Sequence, residues 1–187
     1  MSCDDVSDDA LLARVAEGDE RASRLVVQRH LGRVLGLARR MLGNAAEAED
    51  VAQDAFLALW RHAGRWRSGE AQLATWLYKV TSNRCLDRLR RRPQVGLDEV
   101  PEPVAEDNAE RNHHRRDVAR EVEAALRRLP ERQRLAVSLC HYQELGNIEA
   151  AALMGISVEA LESLLSRGRR ALRERLAARL PGLLGGP

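Results

Sequence analysis

The stretch PQVGLDEVPEPVAEDNAERN, residues 93–112, most limits how this chain can fold: it carries three prolines, six acids and few apolar residues. Such a composition cannot bury enough apolar surface to offset the entropy of ordering it. Pro93 also turns the residue before it away from helical geometry. The segment reads as a flexible acidic linker, and each flank must then build its own core. Both flanks show helical periodicity, and neither shows the alternation of a strand. Apolar residues make up 44% of the chain but aromatic ones only 3%, so Leu, Ala and Val must fill the cores, which suits helices. The expected fold is all-α: two small helical domains over residues 8–92 and 115–180, joined by a linker over 93–114.

In the first flank, Leu11, Leu12 and Val15 give a short amphipathic turn ahead of Gly18-Asp19. Leu25, Val26, Leu31, Val34, Leu35, Ala38 and Leu42 then recur at near-helical spacing, and Gly43-Asn44 stops that helix. Glu47 and Glu49 open the next helix, at the positive end of its dipole. Its apolar face is Val51, Ala52, Ala55, Phe56, Leu59 and Trp60, which leaves Asp50, Gln53, Asp54 and Arg61 outside. Ser68-Gly69-Glu70 is a loop. A further helix from about Leu73 to Arg91 is expected to bury Trp76, Leu77, Val80 and Leu86, with Arg84, Arg88 and Arg91 on one face.

The net charge of +2 conceals strong local asymmetry. Residues 1–20 hold seven acids and one base, and residues 98–110 six acids and no base. Residues 84–92 hold five arginines and one acid, and residues 167–179 six arginines and one acid. Two basic blocks separated by an acidic one suggest two nucleic-acid contacts on a connector, although an isolated charge run is usually a solvated face. Five of the six aromatic residues (Phe56, Trp60, Trp66, Trp76, Tyr78) lie between 56 and 78, next to the first arginine block. Aromatic faces can stack on bases while arginines hold phosphates. The acidic helix just before them repels DNA and is expected to face a protein.

The second flank carries a further pattern. Val118, Val122, Ala125, Leu126 and Leu129 make one helix, and Pro130 suits the first turn of the next. Residues 147–166, NIEAAALMGISVEALESLLS, have the layout of a helix-turn-helix. Ala151 is small where two helices would cross, Gly155 supplies the turn, and Ile156, Leu161 and Leu164 supply the packing. Asn147 and Ser157 are capping residues for its two helices. Glu159, Ser163, Ser166, Arg167 and Arg170 share the outward face of the second helix, which would enter the major groove with its first turns. A plain helical hairpin is the bland alternative; the arginines after Ser166, placed to follow a phosphate backbone, tip the balance.

Taken in order, these segments resemble the extracytoplasmic-function sigma factors of bacterial RNA polymerase, over about residues 8–92 and 115–178. EAEDVAQDAFLALW is similar to the family's polymerase-binding helix, TWLYKVTSNRCLDRLRRR to its helix for the −10 promoter element, and the 147–166 motif with its flanks to its −35 reader. The resemblance implies that Asp50, Gln53 and Asp54, supported by Phe56, engage the core polymerase. It implies that Trp76 and Tyr78 help hold the −10 helix, that Asn83 reads or braces −10 bases, and that Lys79, Arg84, Arg88 and Arg91 hold phosphates. The loop from Ser68 to Leu73 would pocket a base flipped out of the duplex, replacing the stacking it loses. For the −35 element the implied set is Ser157, Glu159, Ser163, Ser166, Arg167, Arg169 and Arg170. Partners implied are core RNA polymerase, promoter DNA and an anti-sigma factor that covers these surfaces. Leu73 stands where the family often has an aromatic residue, and Glu162 and Leu164 stand where many members have Lys or Arg. The −35 contacts would then shift towards Arg167, Arg169, Arg170 and Arg173.

Other chemistry finds little purchase. Cys3, Cys85 and Cys140 form no CxxC pair, which argues against a disulfide scaffold or zinc finger and fits a reducing cytoplasm. His113-His114 lacks companions for a metal, and Cys85 and Cys140 read as small buried fillers rather than redox thiols. No metal or cofactor is expected. No apolar run is long enough to span a membrane, and the acidic N-terminus is no signal peptide. There is no nucleophile elbow or phosphate-binding glycine loop, so catalysis is not expected of the chain itself. An ordinary helix-turn-helix repressor remains the alternative, but it gives the acidic helix and the aromatic cluster no role.

Overall fold

The computed structural model describes residues 6–69, 72–91 and 110–179, with side chains described for 6–69, 72–91 and 118–177. Contacts divide the chain into two compact units between Leu89 and Arg90. Among the described residues every regular element is a helix.

The first unit holds α1 (Asp8–Ala16), α2 (Glu20–Leu42), α3 (Ala45–His62), a 3₁₀ turn (Ala63–Arg65) and α4 (Leu73–Arg91). Each boundary has a local cause. Ser7 Oγ accepts from the Ala10 N–H at 3.2 Å and starts α1. Asp19 Oδ1 accepts from the N–H groups of Arg21 and Ala22 and starts α2. The Arg14 guanidinium, at 2.7 Å, and these backbone bonds hold the Asp19 carboxyl below the usual carboxylate range. α2 ends where Gly43 takes φ 69°, a left-handed conformation that glycine adopts without strain, and Asn44 then caps α3.

At nine residues α1 is too short to persist alone. It is held by Leu11, Leu12 and Val15, all buried, each contributing about 2 kcal/mol. Its first turn is also tied down by polar contacts. Asp8 accepts from Arg29 at 3.1 Å and meets His30 Nε2 at 2.9 Å, and Asp9 Oδ1 accepts from Trp66 Nε1 at 2.8 Å. The core of the unit joins this helix to Ala22, Val26 and Val34 of α2, to Ala52, Ala55, Phe56 and Leu59 of α3, and to Leu73 and Leu77 of α4.

The second unit holds α5 (Glu110–Arg127), α6 (Glu131–Val137), a π-helical turn (Ser138–Tyr142), α7 (Asn147–Met154) and α8 (Val158–Arg179). Leu126, Leu129, Leu135, Leu139, Ala151, Leu153, Leu161 and Leu165 fill its core. Arg134 is buried within it and donates through Nη2 to the carbonyls of Arg127 and Leu129, so it closes the C-terminal end of α5. Gly168 of α8 lies against α6. A Cβ there would meet Val137 Cγ2 at 3.0 Å, so the glycine permits the close approach of the two helices.

Several sequence expectations need correction. Leu73, expected to face DNA from a loop, is the first residue of α4 and buried in the core, because the helix starts there and its apolar side turns inwards. The buried face of α4 is Leu73, Leu77, Tyr78, Thr81, Ser82 and Cys85, whereas Trp76, Val80 and Leu86 are only half-buried. In the second unit Leu165, not Leu164, is the buried partner of Leu161. Gly146 precedes α7 where Asn147 was expected to cap it, and Asn147 is its first residue. Glu110–His114, expected in the linker, belong to α5; residues 92–109 of that expected linker lie outside the described residues.

Candidate functional site

On α3, Asp50 and Gln53 are exposed, Asp54 is half-exposed, and Phe56 packs inwards beneath them. Arg84 and Arg88 of α4 face this acidic row. Arg84 Nη1 lies 3.3 Å from Asp54 Oδ2, and Arg88 Nη1 lies 3.2 Å from Asp50 Oδ2. The two pairs run in opposite chain order, so α3 and α4 lie antiparallel along this edge. The acids expected to meet a protein and the arginines expected to hold phosphates thus form one charged ridge rather than two separate surfaces. Side-chain exposure is 40% for Asp54 and 42% for Arg84, and 62% for Asp50 and 34% for Arg88. Pairs this wet contribute about 0–1 kcal/mol each, so either member can be drawn to another partner at small cost.

Beyond the ridge, Asn83 and Arg91 are exposed on α4 and Lys79 is half-buried. Trp76 belongs to a ring cluster: it stacks on His62 at 5.3 Å between centroids and meets Trp66 edge-on at 6.4 Å. These contacts join the end of α3, the residue after the 3₁₀ turn and the first turns of α4. They span the loop that carries Ser68 and Gly69, where Gly69 takes φ 83°. Glu70 and Ala71, part of the loop expected to pocket a base, lie outside the described residues.

One feature was missed by sequence reasoning. An apolar groove of about 540 Å³ runs between α2 and α3, lined by Val27, Leu31, Leu35, Ala52, Phe56, Leu57 and Trp60, with Glu49 and Gln53 also lining it. Leu31 and Leu57 are 38% and 46% exposed. Leu31 falls on the periodic apolar face of α2, and Leu57 lies outside the apolar face that periodicity gives α3. Their signal is that α2 and α3 carry more apolar residues than one buried stripe needs. Gln53 and Phe56, both expected to serve the polymerase-facing surface, line this groove.

In the second unit, α7 and α8 meet through Gly155, which takes φ 63° and ends α7. Ser157 Oγ accepts from the Ala160 N–H at 3.2 Å and starts α8. Glu159 sits in the first turn, where its own backbone N–H and then the Ser157 hydroxyl hold its carboxyl below the ordinary range. Ser157, Glu159, Ser163, Ser166, Arg167, Arg169 and Arg170 are all exposed, so the expected outward face is accessible along its length. Glu162 accepts from Asn147 Nδ2 at 3.3 Å and links the two helices.

Cys85 is fully buried, and that burial pushes its thiol up to about 12. The half-buried Cys140 is also raised by burial, against the nearby Arg169. Among the described residues no group of three or more His, Cys, Asp or Glu is placed to hold a metal, and no helix is long and apolar enough to cross a membrane. The side chains of His113 and His114 lie outside the described residues.

Comparison with known proteins adds to this geometry. Residues 26–94 match the family model for Sigma-70 region 2, and residues 119–172 that for Sigma-70, region 4. The chain is 35% identical over 182 residues to the ECF RNA polymerase sigma factor SigM of Mycobacterium tuberculosis, covering 96% of this chain and 85% of that protein. It is 34% identical over 170 residues to the ECF RNA polymerase sigma factor SigE of Mycolicibacterium smegmatis, covering 87% of this chain and 65% of the relative's length. Among solved structures, CnrH in complex with the cytosolic domain of CnrY superposes with a TM-score of 0.69 at 27% identity, covering 91% of this chain and 97% of that one.

Proposed function

Because the chain belongs to the extracytoplasmic-function sigma factors of the sigma-70 family, we propose that it is a promoter-specificity subunit that lends core RNA polymerase its choice of start site. Asp50, Gln53 and Asp54 on α3, with Phe56 beneath and the apolar groove alongside, would dock on a basic, partly apolar surface of the polymerase. Asn83, Arg84, Arg88 and Arg91 of α4 would hold the −10 strand, with Lys79 beside them. The loop between Ser68 and Leu73 would receive a base lifted from the stack, and the outward face of α8 would read the −35 element. Placement of the exposed arginines on both DNA elements makes binding strongly dependent on salt. The chain makes no bond itself; the polymerase supplies the catalysis, and the protein acts in the cytoplasm where that enzyme works.

The observation that carries this reading is the presence of both sigma-70 regions in one chain, in the family's order. The solved relative CnrH is held by the cytosolic domain of a second protein. We infer an anti-sigma factor for this chain as well, one that covers the groove and the charged ridge and so competes with the polymerase.

Transcription of a mixed promoter library by core polymerase, with and without this protein, tests the reading. New start sites preceded by a shared two-element motif are expected; an unchanged set of starts refutes it. On a selected promoter, Arg88→Ala should lower the slope of log affinity against log salt by about 0.9, the share of one phosphate contact. An unaltered slope removes Arg88 from the DNA surface.

A further inference from the structure

Two surfaces with separate tasks in the proposed function touch each other in this structure. Asp54 Oδ2 accepts from Arg84 Nη1 at 3.3 Å, and Asp50 Oδ2 accepts from Arg88 Nη1 at 3.2 Å. The acids stand on α3, in the row placed against polymerase, and the arginines on α4, in the row placed against the −10 strand. The pairs join positions 30 and 38 residues apart, so the way α4 lies along α3 creates them and local sequence does not. All four side chains remain partly exposed, so each is open to a partner from outside. Both contacts are longer than the 2.7–2.9 Å or so of a firm charge-assisted hydrogen bond, and exchange of partners is correspondingly easy.

A phosphate competes with the carboxylate for the same guanidinium. An arginine whose donors face Asp50 or Asp54 must turn from that partner to fork onto a phosphate, and the acid left behind repels the phosphate that replaces it. A basic surface docked on α3 removes both penalties, because it takes up the acids and leaves the arginines to DNA. We propose that the two pairs form an autoinhibitory latch: in the free protein Asp50 and Asp54 withhold Arg88 and Arg84 from DNA, and docking of a basic polymerase surface on the acids hands the arginines to the −10 strand. This coupling rests on the placement of polymerase on α3 and DNA on α4 under the proposed function, and it makes neither binding event independent of the other. It is also reciprocal: DNA on α4 frees the acids and favours polymerase on α3 by the same factor. Exposed pairs of this kind are worth about two-fold each, so the latch amounts to about four-fold in DNA affinity.

The test compares the free full-length protein with holoenzyme. The probe is a fluorescein-labelled single strand carrying the −10 element of a promoter selected from the library above, and binding is read by anisotropy at low salt. Asp50→Asn with Asp54→Asn should tighten binding by the free protein about four-fold. In an Arg84→Gln, Arg88→Gln background the same two substitutions should leave binding within about 1.5-fold, since no arginine remains to be released. In holoenzyme, with the sigma protein saturating, the acid variant and the wild type should bind the strand equally, because polymerase has already taken the acids. The difference in the free protein should shrink as rising salt screens the pairs. Unchanged or weaker binding by the free acid variant would overturn the latch. So would a four-fold gain that persists without the arginines, which reports only the removal of negative charge, or an equal gain in holoenzyme. If the acid variant fails to load onto polymerase, the free-protein comparison decides alone. The arginine variant separates the two levels. No loss of strand binding by Arg84→Gln, Arg88→Gln in holoenzyme defeats the placement of DNA on α4 and the latch with it. A loss there, with no gain from the acid substitutions in the free protein, defeats the latch only.

Discussion

Truncating Asp54 and Arg84, singly and together, separates what the charged ridge does for folding from what it does for binding. The two groups stand 3.3 Å apart with 40% and 42% of their side chains exposed. Two unit charges at that distance attract by about 1.3 kcal/mol in the dielectric of water. Ordering two mobile side chains and screening by salt remove most of this, and exposed pairs retain about 0.2–1 kcal/mol. The expected coupling energy from a double-mutant cycle of Asp54→Ala and Arg84→Ala is therefore about 0.5 kcal/mol, measured by urea unfolding of the free protein. For a domain of this size that corresponds to roughly 2–4 °C in Tm. The binding effects should not follow the stability effects. Asp54→Ala should weaken core polymerase binding with little change in promoter salt dependence once the complex is saturated. Arg84→Ala should leave core binding nearly unchanged and lower the promoter salt slope by about 0.9. A coupling energy above about 1.5 kcal/mol in the free protein would mean that the ridge is a structural strut. Loss of both binding activities in both variants would say the same, and the division of labour along the ridge would be wrong.

Two further outcomes follow from buried groups. Arg134→Met should destabilise the second unit by about 2–3 kcal/mol, because the carbonyls of Arg127 and Leu129 lose their donor in a buried setting. Amide exchange at the end of α5 should accelerate with it, and unchanged exchange would count against the capping role. Cys85 has its thiol raised by burial from 9.0 to about 12, so between those values the unfolded chain ionises while the folded one stays protonated. Its contribution to stability is fully present below about pH 9 and is lost as pH rises towards 12, with a slope on the order of 1.4 kcal/mol per pH unit. The Cys85→Ala variant should lack that part of the alkaline slope. In the wild-type protein at neutral pH, Cys85 should react with a thiol reagent only as fast as the first unit unfolds.

The legible parts of this fold are those that local chemistry decides. Gly43-Asn44 ends one helix and starts the next because one residue accepts a positive φ and the other offers a capping oxygen, and both facts are visible in two letters of sequence. Gly155 and Ser157 did the same for the helix-turn-helix. Errors arose where a helix face had to be chosen among several apolar candidates. The periodicity of α4 admits Trp76, Val80 and Leu86 as readily as Leu73, Tyr78 and Cys85. Only the packing of α4 in the first unit selects the second set, and its selection buries Leu73 in the core. Gly168 could not be read at all, since its reason is the methyl of Val137 on another helix.

The candidate site divides along the same line. Which residues leave the core was readable, and Asp50, Gln53, Asp54, Ser163, Arg167 and Arg170 are all accessible to some degree. Which of them meet one another was not, because pairing across helices depends on their direction and offset. A trace of it does exist. The two acids are four apart, the two arginines are four apart, and antiparallel helices bring Asp50 to Arg88 and Asp54 to Arg84 together. Equal spacing of opposite charges on consecutive helices joined by a loop is therefore a readable sign of a shared ridge. The groove beside it follows from the same step. Where α3 turns Asp50 and Asp54 towards α4, its Leu57 and Trp60 line the groove with Leu31 and Leu35 of α2, and Leu31 and Leu57 stay partly exposed there. Two neighbouring surfaces of one helix, one charged and one apolar, are thus consequences of a single rotation of α3, and a change that rotates α3 must alter both.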